Sequence, residues 1–415
     1  MRDGQGNVTE RQSLALLISV CVVTFLARLA FVSYIFTHYN VTKIYGGFES
    51  ARVAAALAGG HGFSSLYGIP SGPTAWLPPT YPLIVAAAFK LFGTYSAGSV
   101  LCLYVVNLVC ATITTALLFR IGLLVCSPFV AFAGSMLWAV EFDAIVCSAR
   151  IWESSLSAML ATIAIFWYLH LADSPPKRRD WIAYGLSWGL AALTNTALLA
   201  MMPLAVIALL CRWGRQVRGH ALVALLVFGC VLLPWSVRNY AAFHKVIPIR
   251  GNFGPNLWYG NHPGVTGPDD ETLDPTQNDE ELQAYLTMGD AAYCLSRQRM
   301  AYNFIRQNPG EFLRLTRDRV LFYWVPSTKG AWVLRVCWSL LSFVGLLILT
   351  REKGVLVTAP FISALLLYPL PYYVTHAEGF YRHPIEPAMA LLVAYCCVQV
   401  VEAARGLLFA PKASG

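Results

Sequence analysis

The sequence predicts an all-α fold, a polytopic transmembrane helical bundle of about ten spans with short helices at one membrane interface. Hydrophobic residues make up 57% of the 415 and charged residues only 13%, a balance outside the range of water-soluble domains. Several apolar runs approach the ~20 residues that cross a ~30 Å hydrocarbon core. Short basic loops follow those runs, and such loops stay in the cytoplasm. The net charge of +8 therefore reports orientation in a bilayer, and nucleic acid is not an expected partner.

The first run, Ser13 to Phe36, is too long for a signal-peptide core and lacks a small-residue cleavage site. It is expected to remain as an anchor. Three basic clusters order the rest of the chain: Lys177–Arg179, Arg212 with Arg215 and Arg218, and Arg351 with Lys353. Residues 181–212 lie between two of them and as one helix would measure roughly 48 Å. Both ends are assigned inside, so a hairpin broken near Asn195–Thr196 is expected. Segment 80–93 would move every later basic loop outside if it crossed, so it is expected as an interfacial helix. The spans then lie near 13–36, 97–121, 127–141, 150–171, 182–194, 197–211, 220–234, 331–349, 355–374 and 384–403. Both termini are cytoplasmic in this arrangement. The chain divides into an N-terminal membrane module (1–234) with its first outer loop at 37–96, an outer region (235–330), and C-terminal membrane helices (331–415).

The outer region carries an acidic stretch, Asp269, Asp270, Glu271, Asp274, Asp279, Glu280 and Glu281, expected as a loop leading into a helix. Asn308-Pro309-Gly310-Glu311 reads as a helix start, with Asn as cap and Pro in the first turn. The eleven cysteines sit almost entirely in apolar runs. Only Cys294 and Cys147 are expected to be exposed, and no disulfide framework is implied.

The chemistry-bearing residues gather on the outer side. Glu49 opens a short helix just beyond the first span, and Arg52 shares its face three residues on. A carboxylate there can serve as a general base; the plainer reading is a solvated helix-start Glu with an Arg partner. Glu141, Asp143, Arg150 and Glu153 form a second cluster, readable as a phosphate or sugar contact or as a helix-tying ion pair. Arg28, inside the first span, is expected to snorkel outwards. Arg238 and Arg250 are candidates for an anionic ligand, because guanidinium grips phosphate bidentately. Arg382 and His383 stand at the start of the last span, where a capping role explains the His equally well. No metal or nucleotide motif is present, so no cofactor is predicted and a divalent-metal requirement stays open.

Several stretches together resemble the GT-C membrane glycosyltransferases of the protein-mannosyltransferase and aminoarabinose-transferase kind (glycosyltransferase family 39 type). These are the acidic residue after span one, ARVAAALAGGHGFSS (51–65) and PPTYPLIVAAAFKLFG (78–93). Further stretches are IWESSLSAMLATIAIFWYLHLA (151–172), LPWSVRNYAAFHKVIPIRGNFGPNLWYGN (233–261) and YRHPIEPAMALLVAY (381–395). The resemblance implies an integral-membrane inverting transferase. It would move a sugar from a polyprenyl-phosphate donor in the membrane lipid to an acceptor (glycan, lipid or protein) at the outer face. Glu49 would be the catalytic carboxylate, with Arg52, Arg150, Glu153, Arg238, Arg382 and His383 binding substrate. The family acid is usually Asp, often paired, where this chain has Glu49; and Leu77 stands where aminoarabinose transferases carry Lys. The resemblance then implies that Arg52, Arg238 or Arg382 takes that Lys's place. A transporter or flippase, or an inactive accessory subunit, are the alternatives; the absence of repeated halves and the one-sided polar residues favour chemistry.

Overall fold

The computed structural model describes residues 10–45, 49–174, 176–268, 270–325 and 332–408; Asp269 of the acidic stretch lies outside them. α1 (Glu10–His38) buries one stripe, Val20, Thr24, Arg28 and Val32, and leaves Leu14, Ile18 and Leu26 exposed. A stripe of that kind suits a peripheral membrane helix, whose outer face lipid covers. Arg28 does not snorkel. It is fully buried and donates to the carbonyls of Ala139 (2.8 Å) and Trp138 (3.2 Å). A cation is favoured at those orphan helix-end acceptors.

After α1 come α2 (Val41–Tyr45), α3 (Glu49–Ala58) and α4 (Thr80–Phe92). α4 is 13 residues, about 20 Å long and short of a hydrocarbon core. α5 (Ala97–Val125) starts at Ser96, whose hydroxyl accepts from Ser99 N. α6 (Pro128–Val140) and α7 (Phe142–Ser148) meet at 56°, and Glu141 caps α7 by accepting from the N–H of Asp143 and Ala144. α8 (Ser154–Asp173) and α9 (Arg178–Thr194) follow. The expected hairpin break is at Asn195, which ends α9 and caps a short 3₁₀ turn by accepting from Ala197 N. α10 (Met202–Trp213) then gives way to α11 (Arg218–Phe243). α9 packs against α11 so closely that a Cβ at Gly185 would meet the Ala224 backbone.

Beyond α11 the chain forms α12 (Phe253–Tyr259), α13 (Asp279–Met288), α14 (Asp290–Gln307) and α15 (Pro309–Trp324). It returns through α16 (Trp332–Lys353), α17 (Val355–Ile362), α18 (Leu370–Val374) and α19 (Glu386–Leu408). Pro309 starts α15 as expected, but Asn308 does not cap it; its amide donates back to Phe304 O at 3.0 Å. Cys294 and Cys147 are buried, not exposed. Cys294 packs with Tyr285 and Tyr293 in a second, smaller apolar core shared with the α3–α4 segment, and Cys147 faces inward on α7.

Among the described residues seven helical runs are long and apolar enough to cross a membrane, or eight if α6 and α7 form one span. Ten are not reached on that measure. α9 has 17 residues and α10 only 12, and residues 196–243 count as one 48-residue run although Gly214, at φ 62°, breaks it. The chain is a multi-pass membrane protein whose described residues form an all-α bundle.

Candidate active site

Helix ends and the segments between α3 and α4 and between α11 and α15 line a cavity of about 1030 Å³ at one end of the bundle. α1, α9 and α11 end there, and α8 and α19 begin there. Connections between α8 and α9, α10 and α11, and α16 and α17, which hold the basic clusters, lie at the other end; Trp213 Nε1 bonds Leu171 O across two of these helix ends at 2.9 Å.

Two clamps position the loop walls. Asp290, buried at the start of α14, accepts from Thr74 Oγ1 (2.6 Å), Ala75 N (3.2 Å) and Tyr285 OH (3.1 Å). Arg238, near the end of α11, donates to Thr74 O (2.7 Å) and Phe63 O (2.6 Å). Between them they fix the segment that carries Trp76 and Leu77 to the cavity. Ala75 O in turn accepts from Gly251 N at 2.8 Å, which seats the segment holding Arg250.

Glu49 lines this cavity with Arg52, Arg150 and Glu153. Loss of solvent, with Asp274 adding to it, raises the Glu49 carboxyl to about 7; Arg52 and Arg250 act against that rise. The solvated Glu–Arg pair read from spacing does not form: the two make no ion pair among the described residues, and Arg52 Nη1 is buried without a hydrogen-bond partner. Arg150 lies over Phe380, its guanidinium carbon 4.3 Å from the ring centroid. Arg250 donates to Asn252 and contributes to the cavity wall.

Three of the residues taken from the sequence lie outside the lining. Arg238 is the clamp just described. Arg382 is buried against Glu386 and donates to Ser339 Oγ at 3.0 Å, tying α16 to α19. His383 is buried beside Trp138, with ring centroids 5.3 Å apart. Asp143 pairs with Arg335 at 2.6 Å, and so serves the junction of α7 with α16.

The neighbouring tyrosine of the same motif does reach the cavity. Tyr381 OH lies 3.0 Å from His376 Nε2, and both line the wall with Tyr259, Tyr372 and Asn195. Burial, with Arg250 and Arg319 nearby, lowers His376 to about 4, so the ring is neutral at physiological pH. Sequence spacing did not mark His376, Asp274 or Asn195 as site residues, because they arrive from three distant loops. Among the described residues no group of three or more His, Cys, Asp or Glu side chains is arranged to hold a metal ion.

Neither a protein-family model nor a curated protein matches the sequence. Solved structures do. The archaeal oligosaccharyltransferase AglB from Archaeoglobus fulgidus, in complex with an inhibitory peptide and a dolichol-phosphate, is similar over 97% of this chain and 52% of its own, with 11% identity and a TM-score of 0.52. The Archaeoglobus fulgidus oligosaccharyltransferase in complex with Zn and sulfate is similar over 95% of this chain and 51% of its own, with 11% identity and a TM-score of 0.54. ArnT from Cupriavidus metallidurans bound to undecaprenyl phosphate covers 96% of this chain and 80% of its own, with 13% identity and a TM-score of 0.43. The chain spans about half the length of the oligosaccharyltransferase. At these identities the likeness shows the fold alone: this chain shares the membrane fold of the oligosaccharyltransferase.

Proposed function

We propose that this protein is an integral-membrane inverting glycosyltransferase that moves a sugar from a polyprenyl-phosphate donor to an acceptor at the outer face. The observation that carries the reading is Glu49: a carboxyl raised to about 7, in the wall of a cavity bounded by span ends on one side and loops on the other. A general base works best with a pKa near the operating pH. Glu49 takes the proton of an acceptor hydroxyl or amine as that atom bonds to the anomeric carbon. The bond from that carbon to the phosphate oxygen breaks with inversion, and the lipid phosphate leaves with the electron pair. Phosphate needs charge stabilisation rather than a proton donor, and Arg52, Arg150 and Arg250 supply cations in the same cavity. Leu77, which stands where related aminoarabinose transferases carry Lys, sits on this wall, so the cation that Lys would supply comes from an arginine of the same cavity. Glu153 completes the polar lining, and the rings of Trp76, Tyr259 and Tyr372 offer faces for a sugar.

The positive-inside rule puts the basic clusters, and with them both termini, in the cytoplasm. The cavity, at the opposite end, then opens outside. The dolichol-phosphate and undecaprenyl phosphate held by the fold neighbours support a polyprenyl-phosphate partner.

The test is a transfer assay with purified protein and polyprenyl-phosphate sugar, with lipid-linked products resolved by mass spectrometry. Glu49→Gln keeps the size of the side chain and loses the base, so its rate is expected to fall by about 10²–10⁴-fold. Glu49→Asp retains part of the activity. Equal rates for Glu49→Gln and wild type would remove Glu49 from the mechanism.

A further inference from the structure

The cavity also reaches the first turn of α8, where the polar groups are not explained by general-base chemistry at Glu49. α8 is 20 residues long and no side chain caps its start. Its leading backbone N–H groups are the orphan donors of any helix N-terminus. Ser154 and Ser157, three residues apart and so on one face, both line the cavity. Ser157 is fully buried, yet its Oγ has no hydrogen-bond partner. A serine inside a helix ordinarily returns its hydroxyl to the carbonyl four residues back. Here that carbonyl, Glu153 O, accepts only the Ser157 N–H, at 2.7 Å. Beside this turn, Arg150 lies over the Phe380 ring and forms no ion pair among the described residues. A cation over a ring face is attracted to it and keeps its N–H donors for an acceptor. A buried hydroxyl without a partner, an uncapped helix start and a guanidinium over a ring on one cavity wall share one complement, a tetrahedral oxyanion.

We propose that the N-terminus of α8 is a phosphate subsite, filled by the phosphate of a polyprenyl carrier and held by Arg150, Ser154, Ser157 and the first-turn N–H groups. The assignment rests on the transferase reading for its choice of a lipid source. It is favoured over free phosphate because α8 is itself a membrane-spanning helix whose first turn stands at the end of the bundle. The helix dipole and Arg150 would stabilise the charge that collects on the phosphate as it leaves. Arg52 and Arg250 then remain beside Glu49, where they temper its proton affinity.

Binding to the full-length protein in nanodiscs of zwitterionic lipid tests this without any sugar transfer. The probes are undecaprenyl phosphate, undecaprenol and inorganic phosphate. Ser157→Thr and Ser157→Val are isosteric, so they share any packing strain and differ in the hydroxyl alone. Ser157→Val and Arg150→Gln are expected to weaken undecaprenyl phosphate about tenfold or more, and Ser157→Thr to bind as wild type. Undecaprenol binding should be the same in all four proteins. Undecaprenyl phosphate held equally by Ser157→Val, Ser157→Thr and Arg150→Gln would overturn the subsite. Inorganic phosphate bound as tightly as the lipid would overturn the lipid source. Because no transfer is measured, the subsite stands or falls separately from the role of Glu49.

Discussion

At the scale of single residues, the site depends on how burial redistributes charge. Glu49 binds its proton more tightly when folded, at about 7, than in a solvated chain at 4.5. Folding is therefore favoured below the unfolded value, and that contribution is lost as pH rises through about 7. Glu49→Gln, which carries no charge, should gain melting temperature over wild type as pH goes from 5 to 8; a constant difference across that range would refute the shift. Activity should run the other way, rising through the same pH because the base must be ionised. Residue identity in the sequence was a partial guide. Glu49, Arg52, Arg150 and Glu153 do meet in one cavity, because Arg150 and Glu153 immediately precede α8 while Glu49 and Arg52 stand in the first turn of α3. Arg238, Arg382 and His383 share the same membrane face yet turn inward to carbonyls, a carboxylate and a ring. A one-dimensional pattern gives the face of the membrane but not the rotation of a helix about its axis.

Among elements, the loop between α3 and α4 combines its own bonds, such as Thr74 N to Phe63 O, with clamps from its neighbours. Asp290→Ala removes the acceptor for Thr74, Ala75 and Tyr285 together and leaves those donors buried. A loss of about 3 kcal/mol is expected, read as a lower melting temperature with faster proteolysis between residues 60 and 77. Unchanged proteolysis would show that Arg238 alone suffices. The hairpin of α9 and α10 was legible from charge and length, since one helix could not join two basic loops. Its turn residue was legible too, because Asn accepts local N–H bonds well. Asn308 follows the same propensity and fails as a cap. Its amide points back to Phe304, a choice of rotamer that no spacing rule encodes.

For the whole molecule, orientation is the main expectation to check. Single cysteines placed at Gly93–Ser96 should react with an impermeant thiol reagent from outside, and those at Lys177–Arg179 should not. Labelling of 177–179 from outside would invert the assignment. The bundle was readable because hydropathy and loop charge are properties of long windows. The cavity was not, since its lining comes from segments as distant as Glu49, Asn195, Arg250 and Tyr381. Their convergence is a property of packing, set by long-range bonds such as Arg238 to Thr74 O and Gly251 N to Ala75 O and by close approaches of the backbone.

Gly260 makes one such approach with a larger reach. A methyl there would collide with Thr375 O, and Arg319 bonds both Gly260 O and Tyr373 O across the same seam. The seam rivets α12 to the end of α18, while Asp290 and Arg238 rivet the facing loop. With both sides fastened, the opening behaves as a sieve of set gauge rather than a jaw. On the proposed transferase reading, acceptor size is then decided by the bulk of side chains at its rim. Phe253→Ala should admit larger acceptors in competition assays, whereas Gly260→Ala, which lines nothing, should lower the transfer of large and small acceptors alike.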